Sequence, residues 1–187
     1  MFRPSTRAAL AIAALALASA APAVLAACPT ADTGGLVEDE AADLQLRLGI
    51  AQALAWHSDH QTARGLEQLD ALLAAQPSGS LGEACVRKER GWLRFSEDDT
   101  EGALRDLIPA YEQLRLRHLP EEQAIVAGRL ATVYAGAREF EQATDLIDET
   151  IAHFTATRAH TRLPAAYDRL GKVHAAQGHW SDALDAF

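Results

Sequence analysis

Residues 123–147 read QAIVAGRLATVYAGAREFEQATDLI, and this stretch decides the fold. Ala127, Leu130, Ala131 and Tyr134 recur at i, i+3, i+4 and i+7, the spacing that puts side chains on one face of an α-helix. Gly136 lies near the end of that run and suits a break. A second helix begins near Phe140, and Ala143, Leu146, Ile147 and Thr150 continue a stripe along it. Two amphipathic helices joined by a short turn make an antiparallel hairpin.

Outward from this stretch the chain repeats with a period of forty. Ala103, Ala143 and Ala183 fall in one register, Gly91, Ala131 and Gly171 in a second, Leu93, Val133 and Val173 in a third, and Leu107, Ile147 and Phe187 in a fourth. A period of this size marks stacked supersecondary units. The spacing predicts helices over residues 81–95 and 100–117, and again over 163–177 and from Trp180 onward, with Gly178 as the turn. A degenerate first pair places Ala53 and Trp56 on one helix and Gly65, Leu66, Leu69 and Leu72 on the next, with Pro77 after its end. The count is four hairpins, near residues 42–77, 81–118, 121–158 and 161–187, the last incomplete. The small residues Gly91, Ala103, Ala131, Ala143, Gly171 and Ala183 let paired helices approach to roughly 8 Å. Larger side chains (Leu130, Tyr134, Phe140, Ile147, Leu170, Trp180 and Phe187) are expected to fill the gaps between hairpins.

Composition agrees. The chain has 187 residues, 49% apolar but 6% aromatic, which favours thin, closely packed helices over a sheet-rich core. Its formal charge of −9 opposes nucleic-acid binding through a general positive field. Two cysteines cannot make a disulfide-dense scaffold or an all-cysteine zinc site.

These residues resemble the tetratricopeptide repeat, whose pattern is aromatic-x2-Leu-Gly-x2-Tyr, then Ala-x3-Phe, then Pro. Tyr167, Leu170, Gly171, Ala183 and Phe187 match it, with His174 in the Tyr place. Ala127, Leu130, Ala131, Tyr134, Ala143 and Ile147 match with conservative losses, and upstream Arg90 and Arg94 occupy the Leu and Tyr places. The standard repeat has 34 residues, so a forty-residue period implies a longer second helix or linker around residues 151–162. The resemblance covers roughly residues 42–187 and implies an all-α, right-handed superhelix, an α-solenoid of about four units. It also implies a groove lined by first helices that binds a protein or an extended peptide. The family's groove places fall here on Lys88, Trp92, Gly128, Thr132, Asp168 and Lys172. The subclass that clamps a C-terminal carboxylate uses Asn, and this chain has none.

The N-terminus reads as an export signal. Met1 to Arg7 hold two Arg and no acid, and residues 8–27 run uncharged through AALAIAALALASAAPAVLAA. Leu25-Ala26-Ala27-Cys28 resembles a bacterial lipobox. That resemblance implies that residues 1–27 are removed, that Cys28 is lipidated, and that the protein sits in the periplasm or at the outer membrane, since Pro29 stands where inner-membrane retention calls for Asp. Ordinary cleavage after Ala26 is the alternative, leaving the Cys28 thiol to pair with Cys85. Residues 28–41, polar and carrying the acidic run Glu38-Asp39-Glu40, read as a flexible tether.

No enzyme signature is present: no Gly-x-Ser-x-Gly, Gly-x4-Gly-Lys, His-Glu-x2-His or Cys-x2-Cys. His57-Ser58-Asp59-His60 falls where the first hairpin turns and reads as turn residues rather than metal ligands. His174 reads as a packed, hydrogen-bonded histidine, and His153 and His160 as solvated linker residues. Glu97-Asp98-Asp99 reads as a helix start, and Arg87, Lys88, Arg90 and Arg94 as a mixed-charge face with Glu83 and Glu89. No catalytic residue, cofactor or metal is expected.

The expected function is therefore an exported, lipid-anchored binding scaffold of the bacterial envelope, with no nucleic-acid partner. The alternative draws on a similarity of arrangement to the N-terminal regions of some bacterial diguanylate cyclases: a periplasmic sensory region of a longer membrane signalling protein. The stop inside a helix at residues 180–187, with no cap, carries the expectation that the polypeptide continues.

Overall fold

After its N-terminal run the chain is rich in Ala, Leu, Glu, Gln and Arg, the strongest helix formers. The computed structural model describes residues 37–187, with side chains from residue 42. The signal-peptide reading of residues 1–27, and Cys28, lie outside the described residues. Among these residues there are eight helices and no strand, so the fold is all-α. The helices are α1 (Val37–Ser58), α2 (Thr62–Ala74), α3 (Leu81–Ser96), α4 (Thr100–Leu116), α5 (Pro120–Gly136), α6 (Phe140–Ala156), α7 (Leu163–Gln177) and α8 (Trp180–Ala186).

Each helix packs on its neighbours in the chain, and the odd-numbered helices also meet, α1 with α3, α3 with α5 and α5 with α7. Among the described residues the backbones of the even-numbered ones stay apart, α4 and α6 being joined by side chains, with the Tyr111 hydroxyl donating to the Glu149 carboxylate at 2.9 Å. The apolar interior is accordingly a string of three clusters. Ile50, Ala53, Leu69, Val86 and Leu93 pack among α1, α2 and α3. Ala103, Leu107, Leu114, Val126, Leu130 and Val133 pack among α3, α4 and α5. Ala131, Ala143, Ile147 and Val173 join α5, α6 and α7.

The small residues sit at the seams between paired helices. A Cβ on Gly91 would lie 2.7 Å from Leu107 Cγ and 3.1 Å from the carbonyl oxygen of Ala103. On Gly171 it would lie 2.8 Å from the Phe187 ring. Ala103, Ala131 and Ala143 are fully buried, and Ala183 nearly so.

Three expectations need correction. The helical register extends to Val37, taking in residues 37–41 of the segment read as a tether. Helix α6 runs through Ala156, so the lengthened period is spread over the 17-residue helices α4, α5 and α6 and is not concentrated in residues 151–162. Finally, Trp180 and Phe187 are 68% and 69% exposed, and Tyr167 is 40% exposed. Among the described residues Trp180 and Phe187 do not fill a gap between hairpins, because there α8 packs on α7 alone.

The turns carry a periodicity of their own. Asp98, His118, Arg138 and Arg158 all have positive φ, between 55° and 65°, and Gly178 follows at 81°. They recur every twenty residues, each as the left-handed residue that ends a helix. In each the next N–H reaches back five residues, as Glu139 N does to Tyr134 O at 2.9 Å, while Arg138 N bonds Ala135 O at 3.1 Å. This is the Schellman arrangement. Gly136 is not the turn: it stays helical, with the Phe95 ring 3.3 Å from where its Cβ would be.

A left-handed conformation costs an ordinary L-residue about 1–2 kcal/mol that glycine avoids. Arg138 is exposed, so Arg138→Gly is expected to stabilise the fold by about 0.5–1 kcal/mol after glycine's extra chain entropy. Gly178→Ala should destabilise it by a similar amount. Urea unfolding of both variants checks the pair.

Candidate functional site

The sequence Val86-Arg87-Lys88-Glu89-Arg90-Gly91-Trp92-Leu93-Arg94 spreads charge around α3, and helical spacing sorts it onto two faces. Arg87, Arg90 and Arg94 point toward α4. There the fully buried Asp106 accepts from Arg87 Nη1 at 3.2 Å and from Arg90 Nε at 2.8 Å, with Arg94 Nη1 at 3.4 Å. Asp70 of α2 takes a further bond from Arg90 Nη1 at 2.7 Å. This basic stripe already has its anion, within the fold.

The other face leads to the layer of odd-numbered helices. Lys88 is 2% exposed; its Nζ lies 2.7 Å from Glu122 Oε2 on α5 and 3.3 Å from Glu89 Oε1. Glu89 in turn meets Arg129 Nη2 at 2.9 Å, and Arg129 Nη1 donates to the Lys88 carbonyl at 2.9 Å. The Arg129 guanidinium stands 5.6 Å from the Trp92 ring centroid, within cation–π range. Burial pushes the Glu89 carboxyl up, but Arg129 and Lys88 beside it win and hold it below the ordinary value.

Arg169 of α7 completes the surface. Its guanidinium covers Gly128, with Nη1 3.5 Å from the place a Cβ would occupy, and it donates to the Ala165 carbonyl at 3.2 Å. Among the described residues no carboxylate lies within ion-pair distance of it. Burial, then repulsion from Arg129, lower its pKa, while Asp168 acts in the opposite sense. Asp168 itself binds Lys172 at 2.6 Å. The result is a half-buried cation near a second one, Arg129, which itself faces the Trp92 indole.

The residues named from sequence are thus divided. Trp92 and Thr132 are half-buried on this surface, with the Thr132 hydroxyl turned back to the Gly128 carbonyl at 3.0 Å. Asp168 and Lys172 form an exposed pair on α7. Lys88 is inside, neutralised by acids of α3 and α5, and presents no charge to a ligand. Arg129 and Arg169 were missed, although Arg169 lies next to the expected Asp168; no sequence signal says that an arginine will lack a carboxylate. Asp99 does cap a helix, accepting from Gly102 N at 2.8 Å. Of the His57-Ser58-Asp59-His60 run, only Asp59 and His60 lie in the turn; His57 is in the last turn of α1, where its ring nitrogen pairs with the Thr62 hydroxyl at 3.1 Å. Two histidine expectations fail. His153 lies within α6 against Phe154, since the helix extends past it, and His174 Nδ1 is buried with no hydrogen-bond partner.

Glu89 makes a pH prediction. A carboxyl whose folded pKa is depressed contributes stability in full above its unfolded value, near 4.5, and loses it as pH falls through the folded value. Glu89→Gln is expected to cost about 3–5 kcal/mol at pH 7, because it leaves buried cations short of a partner. The gap to the parent should narrow as the pH drops below 4.5, which denaturant titrations at pH 7 and pH 3.5 will show.

No protein-family model, no curated protein and no solved structure matches this chain, so its function is argued from its geometry.

Proposed function

We propose that the chain is an exported helical-repeat scaffold, a right-handed superhelix of four tetratricopeptide-like hairpins, held at the bacterial envelope by lipid on Cys28. It binds a protein or an extended peptide and catalyses nothing. The observation that carries this reading is the layer of mutually touching odd-numbered helices, which brings Trp92, Arg129 and Arg169 onto one surface. A half-buried aromatic beside a desolvated arginine is the composition of an interface hot spot. The small Gly128 lets the Arg169 guanidinium lie flat on the helix there, which holds that cation at the surface for a partner.

One observation favours a second reading. Cys85, buried on α3, is disulfide-bonded, and Cys28 is the other cysteine of the chain. That favours ordinary signal cleavage and the periplasmic sensory region of a longer membrane signalling protein. Both readings place the domain in an oxidising compartment. The mass of the mature N-terminal peptide separates them: a diacylated Cys28 peptide supports the scaffold, and a Cys28–Cys85 linked peptide supports the sensor.

Binding is tested separately from anchoring. A photo-crosslinking residue at Thr132 is expected to trap a discrete partner in envelope fractions, while the same residue at the exposed Glu101 of α4 traps none. Once that partner is in hand, Trp92→Ala and Arg169→Ala should each weaken it at least about tenfold, or about 1.4 kcal/mol. Equal trapping at both positions, or unchanged affinity, contradicts the assigned surface.

A further inference from the structure

The turn between α7 and α8 holds a cluster that neither functional reading uses. His174 lies in the last turn of α7, His179 is the residue before α8, and Asp182 lies in the first turn of α8. Gly178 takes the left-handed conformation, and His179 N then bonds the carbonyl of His174 at 2.9 Å. That bond ties the two histidine backbones together. Their rings consequently stand side by side, 6.4 Å between centroids and 33° apart in plane. Asp182 follows His179 by three residues, which places it on the same helical face. One ligand atom from each of the three residues lies within 4.8 Å of the other two.

Among the described residues this is the one such grouping of His, Cys, Asp and Glu. The buried Nδ1 of His174 has no hydrogen-bond partner, and no ion pair engages Asp182 among the described residues. A buried imidazole nitrogen with no partner is rare in folded proteins and calls for a ligand. Moreover, the repeat pattern has Tyr at position 174, a residue that would pack there without this chemistry.

We infer that His174, His179 and Asp182 bind one divalent transition-metal ion of the zinc class. Two neutral imidazoles and a carboxylate suit Zn2+ and do not suit Ca2+ or Mg2+, which take oxygen ligands. Tetrahedral zinc at about 2.0–2.1 Å from nitrogen and oxygen needs ligand atoms about 3.4 Å apart. Side-chain rotation at an exposed turn supplies the difference from 4.8 Å. Three protein ligands leave the fourth position to water or to a group from a partner. The ion clips α8, a seven-residue helix that packs on α7 alone among the described residues, to its neighbour. A helix that short does not hold itself together in water. The metal therefore sets the order of the α7–α8 hairpin and keeps Phe187 over Gly171. This inference stands apart from the binding surface and survives its failure.

The test is calorimetric titration of the chelator-treated chain with ZnCl2, with Co2+ absorption as a second readout of imidazole ligation. The parent is expected to take up one equivalent and to unfold at a higher temperature in its presence. His174→Tyr, which restores the repeat residue, and His179→Gln, at an exposed position, should each weaken uptake at least tenfold and abolish the thermal shift. If His174→Tyr disturbs folding by circular dichroism, His179→Gln alone carries the result. The double variant His57→Ala/His60→Ala should bind as the parent does. Absence of stoichiometric uptake, uptake unchanged in both site variants, or loss of uptake in the His57/His60 variant overturns the assignment.

Discussion

Everything in this fold depends on how closely paired helices can approach. Where α3 crosses α4, Gly91 leaves room for Leu107 and for the Ala103 carbonyl, and where α1 meets α2 a Cβ on Gly65 would sit 2.7 Å from the Ala53 carbonyl oxygen. With helices this close, alanine and leucine suffice to fill the interior and few aromatics are needed. Bulkier seams would push the hairpin apart and disengage both the core clusters and the charges placed between helices.

The charge network follows from that approach. Asp106 is fully buried and accepts from arginines of the facing helix, a geometry available only when α3 and α4 lie in contact. Lys88, Glu89, Glu122 and Arg129 likewise form a chain across α3 and α5. Buried pairs of this sort add little net stability over an apolar core but are costly to break, so they fix register more than they strengthen the fold. Arg169 stands at the edge of this system with no carboxylate within ion-pair distance among the described residues. The desolvation that Lys88 offsets with Glu122 has no such offset at Arg169 among the described residues.

The helices and their pairing were legible because apolar spacing and the forty-residue registers are local signals. The expected α7, residues 163–177, and the start of α8 at Trp180 agree with the structure. The small seam residues were legible for the same reason. The turn residues were not: Gly178 was visible as a turn, but nothing in Asp98, His118, Arg138 or Arg158 announces a left-handed backbone, which there follows from the helix ending. The candidate surface was half legible. Trp92 and Thr132 are half-buried, whereas Lys88 is drawn inside by Glu122, a residue 34 positions on that only the packing of α3 on α5 brings near. Arg169 and the His174–His179–Asp182 cluster depend on spatial neighbours, or on their absence, and a one-dimensional pattern does not report either.

The seam is tested most directly at Gly91, where two forces predict opposite signs. Helix propensity alone favours alanine over glycine by about 1 kcal/mol. Packing against Leu107 and the Ala103 carbonyl opposes it, because a Cβ would sit 2.7 Å from a branched carbon, and overpacking costs about 1–3 kcal/mol. The decisive measurement is the unfolding free energy of Gly91→Ala, followed by Gly91→Val. Close approach predicts that alanine destabilises the chain and that valine does so further. A Gly91→Ala variant more stable than the parent would show that the helices are not in contact there, and would contradict the account.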